Sequence, residues 1–388
     1  MRSIYLDYSS STPVAASVRD SMLPFLSEFY GHPARCHWYG RAAQEAVEDA
    51  RSHLASLLSC HPSEIVFTSS GTESVNLGIL GVCRSISKGG NGEPAHLIIS
   101  TLEHACVTRC AEQLQREGWQ ISFVRCNADG VVQVEEFAAA IRPNTRMISL
   151  IHASHRIGTV QPIEQIAELC QARDILLHTD AAQSIGKIDC NVDDLGIDLL
   201  SLSGHKFYAP KGIGALYVRL GVPIEPILFG ESYETGLRPG TANVPGIVGL
   251  GQAAKLALAG LEKGMDRTSE MRDRFHHQLE SLIGKPLPIH GEHVRRVPGI
   301  LSIELPGVTA EAMQRRLPEI CFGPTHRSSS KKPSAAPCAP AECQQLAYGP
   351  TELQSPYLLR ISFGWTTSEE ELQQAAQLIA SAFEALVD

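Results

Sequence analysis

The chain has 388 residues, 43% of them hydrophobic and 19% charged, with a formal net charge of -9. That length and apolar content suit a large buried core divided between two domains. The acidic balance excludes an electrostatic nucleic-acid binder, no apolar run reaches bilayer-spanning length, and the opening MRSIYLDYSS does not read as a signal peptide.

In chain order, residues 41–58 place apolar side chains at helical spacing with charges between them. EIVFTSSG at 64–71 is a short apolar strand ending in small polar residues. HLIIS at 96–100, ISFVRC at 121–126, RMISLIHA at 146–153, ILLHTDA at 175–181 and LLSLS at 199–203 read as further buried strands. Helical stretches such as 134–142 and 163–173 separate several of them. Strand, crossover helix, strand predicts an α/β fold: a mainly parallel sheet with helices on both faces, assigned to a large domain over 16–251. Ligands in such sheets sit at the carboxyl ends of the strands. Those ends carry Ser69 to Thr72, His104, His152 to His155, Asp180 and His205-Lys206. Residues 252–282 are helical, 300–305 form a strand, and 321–343 are rich in Ser, Pro and Lys. A mobile surface loop is expected over about 321–356. A strand at 357–364 and a final helix from about 367 complete a smaller α+β domain made of 1–15 and 252–388. The 11 cysteines form no Cys-x-x-Cys pair. Neither a disulfide scaffold nor a metal site is expected, and a reducing cytoplasm fits.

The chemistry concentrates in HTDAAQ (178–183) followed by SLSGHKFYAPKG (201–212). A pyridoxal 5′-phosphate (PLP) site needs a lysine for a Schiff base, a carboxylate to keep the pyridine nitrogen protonated, and donors for the phosphate. Lys206 supplies the first and Asp180 the second. Gln183 suits the ring hydroxyl, and Ser203 and His205 flank the lysine and suit phosphate. In TSSGTES (68–74), Gly71 and Thr72 open a helix and offer backbone N–H groups and a hydroxyl to phosphate. In LEHAC (102–106), His104 follows a strand and suits stacking on the ring. Singly, such residues are ordinarily a helix cap, a solvated lysine, a turn or a core histidine. Their joint spacing is what points to a cofactor.

These motifs resemble those of the NifS/IscS-type cysteine desulfurases, in the class V aminotransferase group of fold-type I PLP enzymes. The resemblance runs from YLDYSSSTP (5–13) through FYGHPARCHWYG (29–40), IHASHRIGTVQP (151–162) and GLRPGTANVPGIVGLG (236–251) to LRISFG (359–364). It implies a homodimer that binds PLP and converts L-cysteine to L-alanine. Sulfur would pass to an enzyme cysteine and then to an acceptor protein, for sulfur transfer or iron-sulfur cluster assembly. Carried over by position, it gives Lys206 to the Schiff base, Asp180 to the pyridinium, Gln183 to the ring oxygen and His104 to stacking and proton transfer. Gly71, Thr72, Ser203 and His205 go to the phosphate, Thr241 to the partner subunit's phosphate, and Arg360 to the substrate carboxylate.

The sequence departs from the family near the chemistry. Two asparagines and a glutamate are usual where Ser154, His155 and Arg156 stand. His155 could replace the hydrogen bond to the ring oxygen, but it is bulkier and can titrate. A Gly-Ser-Ala-Cys-like segment normally carries the sulfur-accepting cysteine, and nothing here matches it. Alternative alignments put Arg327, Ser334 or Cys338 at that place. Cys338 is the candidate because it lies mid-loop near Lys331 and Lys332, with Cys321 expected on a strand and Cys343 on a short helix. The alternative reading is a PLP lyase that removes sulfur or selenium from an amino acid without an enzyme persulfide.

Overall fold

The computed structural model describes residues 3–89, 93–231, 233–324 and 355–387. Its strands, in chain order, are β1 (Ile4–Leu6), β2 (Ile65–Thr68), β3 (His96–Ser100), β4 (Gln120–Val124), β5 (Thr145–Ser149), β6 (Leu176–Asp180), β7 (Leu199–Ser203), β8 (Gly214–Val218), β9 (Ile300–Glu304), β10 (Ile320–Pro324) and β11 (Leu358–Ser362). Seven of them form one sheet in the order β2-β8-β7-β6-β5-β3-β4. Pairing is parallel from β7 through β6, β5 and β3 to β4, while β8 runs antiparallel to both β7 and β2. Because β8 reverses twice, β2 still points the same way as β7. The strands from β2 to β7 therefore carry their carboxyl ends to one edge.

Helices cover both faces of this sheet, so its central strands are buried along their whole length. Every residue of β3, β7 and β8 is buried, which explains their unbroken apolar runs. The helix Trp38–Leu58 buries Ala43, Val47, Ala50, Leu54 and Leu58, a stripe at three- and four-residue spacing.

A second sheet runs β1-β10-β11-β9. The N-terminal strand thus joins a sheet otherwise built by the last third of the chain. The two sheets have separate apolar cores. One helix, Val244–Ile283, serves both. Its first half puts Ile247, Leu250 and Ala254 into the large core, and its second puts Met271, Phe275 and Leu279 into the small one. Residue 251, where the change of sequence texture suggested a boundary, lies inside this helix. Of the loop expected over about 321–356, residues 321–324 belong to β10 and residues 325–354 lie outside the described residues. No described helix is long and apolar enough to cross a membrane.

The two long helices cross where Gly251 meets Ala50. A Cβ on Gly251 would lie 2.5 Å from Ala50 Cα and 2.6 Å from its Cβ. Backbone cannot yield as a flexible side chain can. Gly251→Val should therefore destabilise the fold by about 2–3 kcal/mol, read as a lower midpoint in a thermal melt. An unchanged midpoint would mean that the crossing is looser than described.

Candidate active site

Strand ends from one sheet and a single strand of the other enclose a cavity of about 370 Å³. After β2 come Ser70, Gly71 and Thr72; after β3, His104; after β5, His155; at the end of β6, Asp180; and from β7 onward, Ser203, His205 and Lys206. Arg360 enters from β11, and Ser9 and Ser10 from the turn after β1. Ten of the residues expected from the sequence thus line one cavity: Gly71, Thr72, His104, His155, Asp180, Gln183, Ser203, His205, Lys206 and Arg360.

Lys206 Nζ donates to Ser9 O (2.7 Å) and Ser10 O (2.8 Å). Burial, reinforced by Arg360, pulls its amine down to about 8, against the opposing pull of Asp180 and Asp7. Asp180 is buried, and the Ala182 N–H donates to its Oδ1 at 2.9 Å. Burial pushes its carboxyl up from the ordinary range, while His104 and Lys206 oppose that shift. This is a carboxylate short of compensation, so a cationic or N–H group arriving in the cavity would be favoured. Gln183 Nε2 donates to Ser9 O at 2.8 Å, and its Oε1 accepts from Lys187 Nζ at 3.1 Å.

At the other end of the cavity, Ser70 caps the helix that begins at Gly71, its side chain accepting from Glu73 N–H. A Cβ at Gly71 would come within 3.0 Å of Ser203 Cβ. Glycine there lets the helix start close against β7. Helix N–H groups, Thr72, Ser203 and His205 then share one corner suited to phosphate oxygens. His205 Nδ1 lies 3.2 Å from Ser11 Oγ, and burial pulls its imidazole down to about 4.

His104 caps the helix Ala105–Arg116, its Nδ1 accepting from Cys106 N–H at 3.3 Å. The His155 ring meets it edge-on, with centroids 5.6 Å apart at 77°. The expectation that His155 titrates is corrected by its surroundings. Burial first, then Arg156, His104, Arg360 and Lys206, hold its pKa well below the usual imidazole range. It is a neutral imidazole whose buried Nδ1 has no protein partner.

Arg360 is already engaged. Its Nη2 donates to Asp7 Oδ1 (2.9 Å) and Ser10 Oγ (3.0 Å), and its Nη1 to the His155 carbonyl (2.8 Å). Its buried Nε has no partner. Arg360 and His155 line the cavity and each buries a polar atom without a partner, Asp180 is short of compensation, and the Gly71 corner fits phosphate. Together they fit PLP with an amino-acid substrate.

Sequence reasoning missed three features. The Ser9 and Ser10 carbonyls act through the backbone, which residue types do not reveal. Cys106 lines the cavity with Sγ 3.0 Å from His104 Nδ1. Lys187 is marked by nothing in the sequence. Thr241 lies outside this cavity, exposed, with Oγ1 3.4 Å from His32 Nε2. Its segment is tied down by Arg238 to Glu73 (3.0 Å) and Arg51 to Glu234 (2.8 Å). Cys338, Cys343, Arg327, Lys331, Lys332 and Ser334 lie outside the described residues. Cys321 sits half-buried on β10, opposite Tyr5.

The chain is similar to known proteins along nearly its whole length. The family model for "Aminotransferase class-V" matches residues 4–375. "Cysteine desulfurase IscS" of Dictyoglomus turgidum is 36% identical over 389 residues, covering 99% of this chain and 95% of its own. The protein of the same name from Neisseria meningitidis is 39% identical, covering 97% and 91%. A solved "NIFS-LIKE PROTEIN" superposes with a TM-score of 0.86 at 29% identity, covering 99% of each chain. The structure titled "SspA in complex with cysteine" gives 0.77 at 34% identity, covering 93% of this chain and 98% of its own.

The lowered Lys206 amine has a direct readout. At pH 8 about half of it is neutral, against under about 1% of an ordinary lysine. A limiting dose of an acylating reagent should modify Lys206 in the cofactor-free protein ahead of exposed lysines such as Lys88. Its rate should climb with pH to a plateau above about 8. Equal labelling of Lys206 and Lys88, mapped by mass spectrometry, would contradict the assigned environment.

Proposed function

The chain belongs to the class-V aminotransferase family, and from that premise we propose that it is a PLP-dependent cysteine desulfurase. It would take L-cysteine to L-alanine and pass the sulfur to an enzyme thiol. The observation that carries this reading is the convergence of Lys206, Asp180, Gln183 and Arg360 on one cavity. When bound, PLP supplies an electron sink that stabilises negative charge at the substrate α-carbon.

Lys206 is the lysine in the cavity wall and the one to hold the cofactor. Asp180 would face the pyridine nitrogen, Gln183 and His155 the ring oxygen, and His104 the ring face. Gly71, Thr72, Ser203 and His205 would take the phosphate, joined by Thr241 from a second copy.

Lys206 Nζ titrates near working pH, so it can take the α-proton from substrate and return it. Arg360 lines the cavity and would bind the substrate carboxylate through its guanidinium. The acceptor thiolate then forms an S–S bond to the substrate sulfur. The carbon–sulfur bond breaks, and its electron pair stays on carbon, which takes a proton to become the methyl group of alanine. Cys338 is our candidate for that thiolate. Cys106 suits the role poorly. Burial pushes its thiol far up, and the thiol form is a weak nucleophile.

The homodimer reading draws on an apolar surface. Leu23, Leu26, Tyr30, Trp38 and Phe229 are 51%, 62%, 68%, 56% and 88% exposed. Phe25, Phe29 and Trp38 touch in succession through tilted rings, and Trp38, Tyr39 and Tyr30 through one edge-on and one tilted contact. Such a cluster suits burial against another copy. The nine described cysteines are free thiols, which suits the reducing cytoplasm we infer.

The test is product analysis with L-cysteine, with persulfide mapped by mass spectrometry. The wild type should yield alanine and one persulfide-bearing cysteine. Lys206→Ala should lose about 10²–10⁴ in turnover, and Cys338→Ala should lose both alanine and bound sulfur. Pyruvate with free sulfide, and no persulfide, would replace this reading with the lyase one.

A further inference from the structure

The turn after β6 holds a cation for which the chemistry above has no use. Lys187 lies four residues past Gln183. Its N–H donates to Ser184 O at 2.9 Å. The residue before it, Gly186, has a φ of +68°, and a Cβ there would lie 3.1 Å from Phe207 Cβ and 3.2 Å from Ala257 Cβ. The turn is pressed against its neighbours, so the Lys187 side chain leaves it from a fixed point. It folds back to place Nζ 3.1 Å from Gln183 Oε1.

We propose that Lys187 is a positioning residue that holds the Gln183 amide in one of its two orientations, with the NH₂ group facing Ser9 and the cavity.

A glutamine amide is nearly symmetric in shape, and its hydrogen-bond partners decide which end is which. While it carries its proton, the Lys187 amine only donates, so below about pH 7 it selects Oε1. The Ser9 carbonyl only accepts, so it selects Nε2 at 2.8 Å. Turning the amide over would set donor against donor at Lys187 and acceptor against acceptor at Ser9. Ser9 O is not enough by itself, because it also accepts from Lys206 Nζ at 2.7 Å. Lys187 anchors the end of the amide that Ser9 does not touch. The second N–H of Gln183 is then left for the cofactor's ring oxygen, so the inference rests on the PLP reading above.

The charge balance shows that the lysine is not there for stability. Lys187 is half-buried by surface, yet protein crowds its charged end. Burial, with Lys206 and Arg360 nearby, pulls the amine down to about 7, and Cys190 opposes weakly. Between about 7 and the ordinary lysine range the unfolded chain binds this proton more tightly than the folded one. Stability therefore rises with pH across that window, and carrying this proton at pH 7 costs the fold. Replacing it with methionine, similar in length and apolar, should leave the protein at least as stable.

The experiment uses the full-length protein stripped of cofactor, in four forms: wild type, Lys187→Met, Gln183→Met and the double variant. PLP is titrated into each and followed by visible absorbance, and each is melted at pH 7. Lys187→Met should bind PLP about tenfold more weakly, the worth of one hydrogen bond to a charged group, with a melting midpoint equal to or above wild type. The double variant should bind no worse than Gln183→Met alone, because the lysine acts only through the amide. Wild-type affinity in Lys187→Met overturns the role. So does a tenfold loss that reappears in full on the Gln183→Met background, which would make the lysine a direct partner of the anionic cofactor. A Lys187→Met protein that does not fold overturns it as well. A wild type that binds no PLP removes the function proposed above, and the positioning role falls with it.

Discussion

The turn Asp7 to Ser11, just after β1, holds the site together. Its carbonyls at Ser9 and Ser10 take the Lys206 amine, and Ser9 O also takes the Gln183 amide. Its Asp7 carboxylate and Ser10 hydroxyl take Arg360. Ser362 Oγ accepts the Ser9 N–H at 2.9 Å and lies 3.0 Å from Ser9 Oγ. One short segment therefore bonds to Lys206 beyond β7, to Gln183 beyond β6, and to Arg360 and Ser362 on β11. The last two belong to the other sheet. A buried cation is tolerated only if paired and hydrogen-bonded. Without this turn, Lys206 and Arg360 would lose most of their described partners together.

The charges in this region do not balance among themselves. Lys206, Lys187 and Arg360 are cationic when protonated, and Asp7 and Asp180 oppose them. The imbalance appears in the shifts. Lys206 and Lys187 are both lowered, and Arg360 contributes to each. His155 and His205 stay neutral first because burial disfavours their charged forms, and then because further protonation would add to the same excess. A cavity with surplus positive charge and low exposure draws anions, and does so most strongly where water is excluded. A phosphate and a substrate carboxylate are the anions that this geometry can seat. The one buried carboxylate facing the cavity, Asp180, lies at the end of β6, where a ring nitrogen would meet it.

The large sheet was legible because parallel strands buried on both faces announce themselves as apolar runs. HLIIS and LLSLS form strands over the residues read from sequence, 96–100 and 199–203. β8 escaped the reading. It follows β7 without a crossover helix, and the strand-helix-strand rhythm that exposes parallel neighbours does not flag an antiparallel insertion. β1 and its pairing with β10 escaped for a related reason. Their pairing joins residues 4–6 to 320–322, and nothing local in either segment specifies so distant a partner. At the site, Asp180, Gln183, Lys206 and their neighbours were legible from motif spacing, while Arg360 and His155 came only with the family resemblance. Groups that act through main-chain carbonyls, as at Ser9 and Ser10, leave no mark in residue type. Lys187 was hidden because a lone lysine is usually solvated, and only the turn at Gly186 directs it inward.

The departure at His155 shows how environment rather than residue type decides charge. A histidine in place of an amide looks like a gain of a titratable group in the site. Four neighbours, Arg156, His104, Arg360 and Lys206, together with burial, remove that option. What remains is a neutral ring with one N–H donor and one acceptor nitrogen, which is the hydrogen-bonding repertoire that an amide side chain offers through different atoms. The exchange alters volume and reach but not charge. Its cost is the lone Nδ1, buried without a protein partner, and such a group is tolerable if a ligand completes it. The same reasoning applies to Arg360 Nε. Both atoms lie buried in residues that line the cavity, one in the turn after β5 of the large sheet and the other on β11 of the small one.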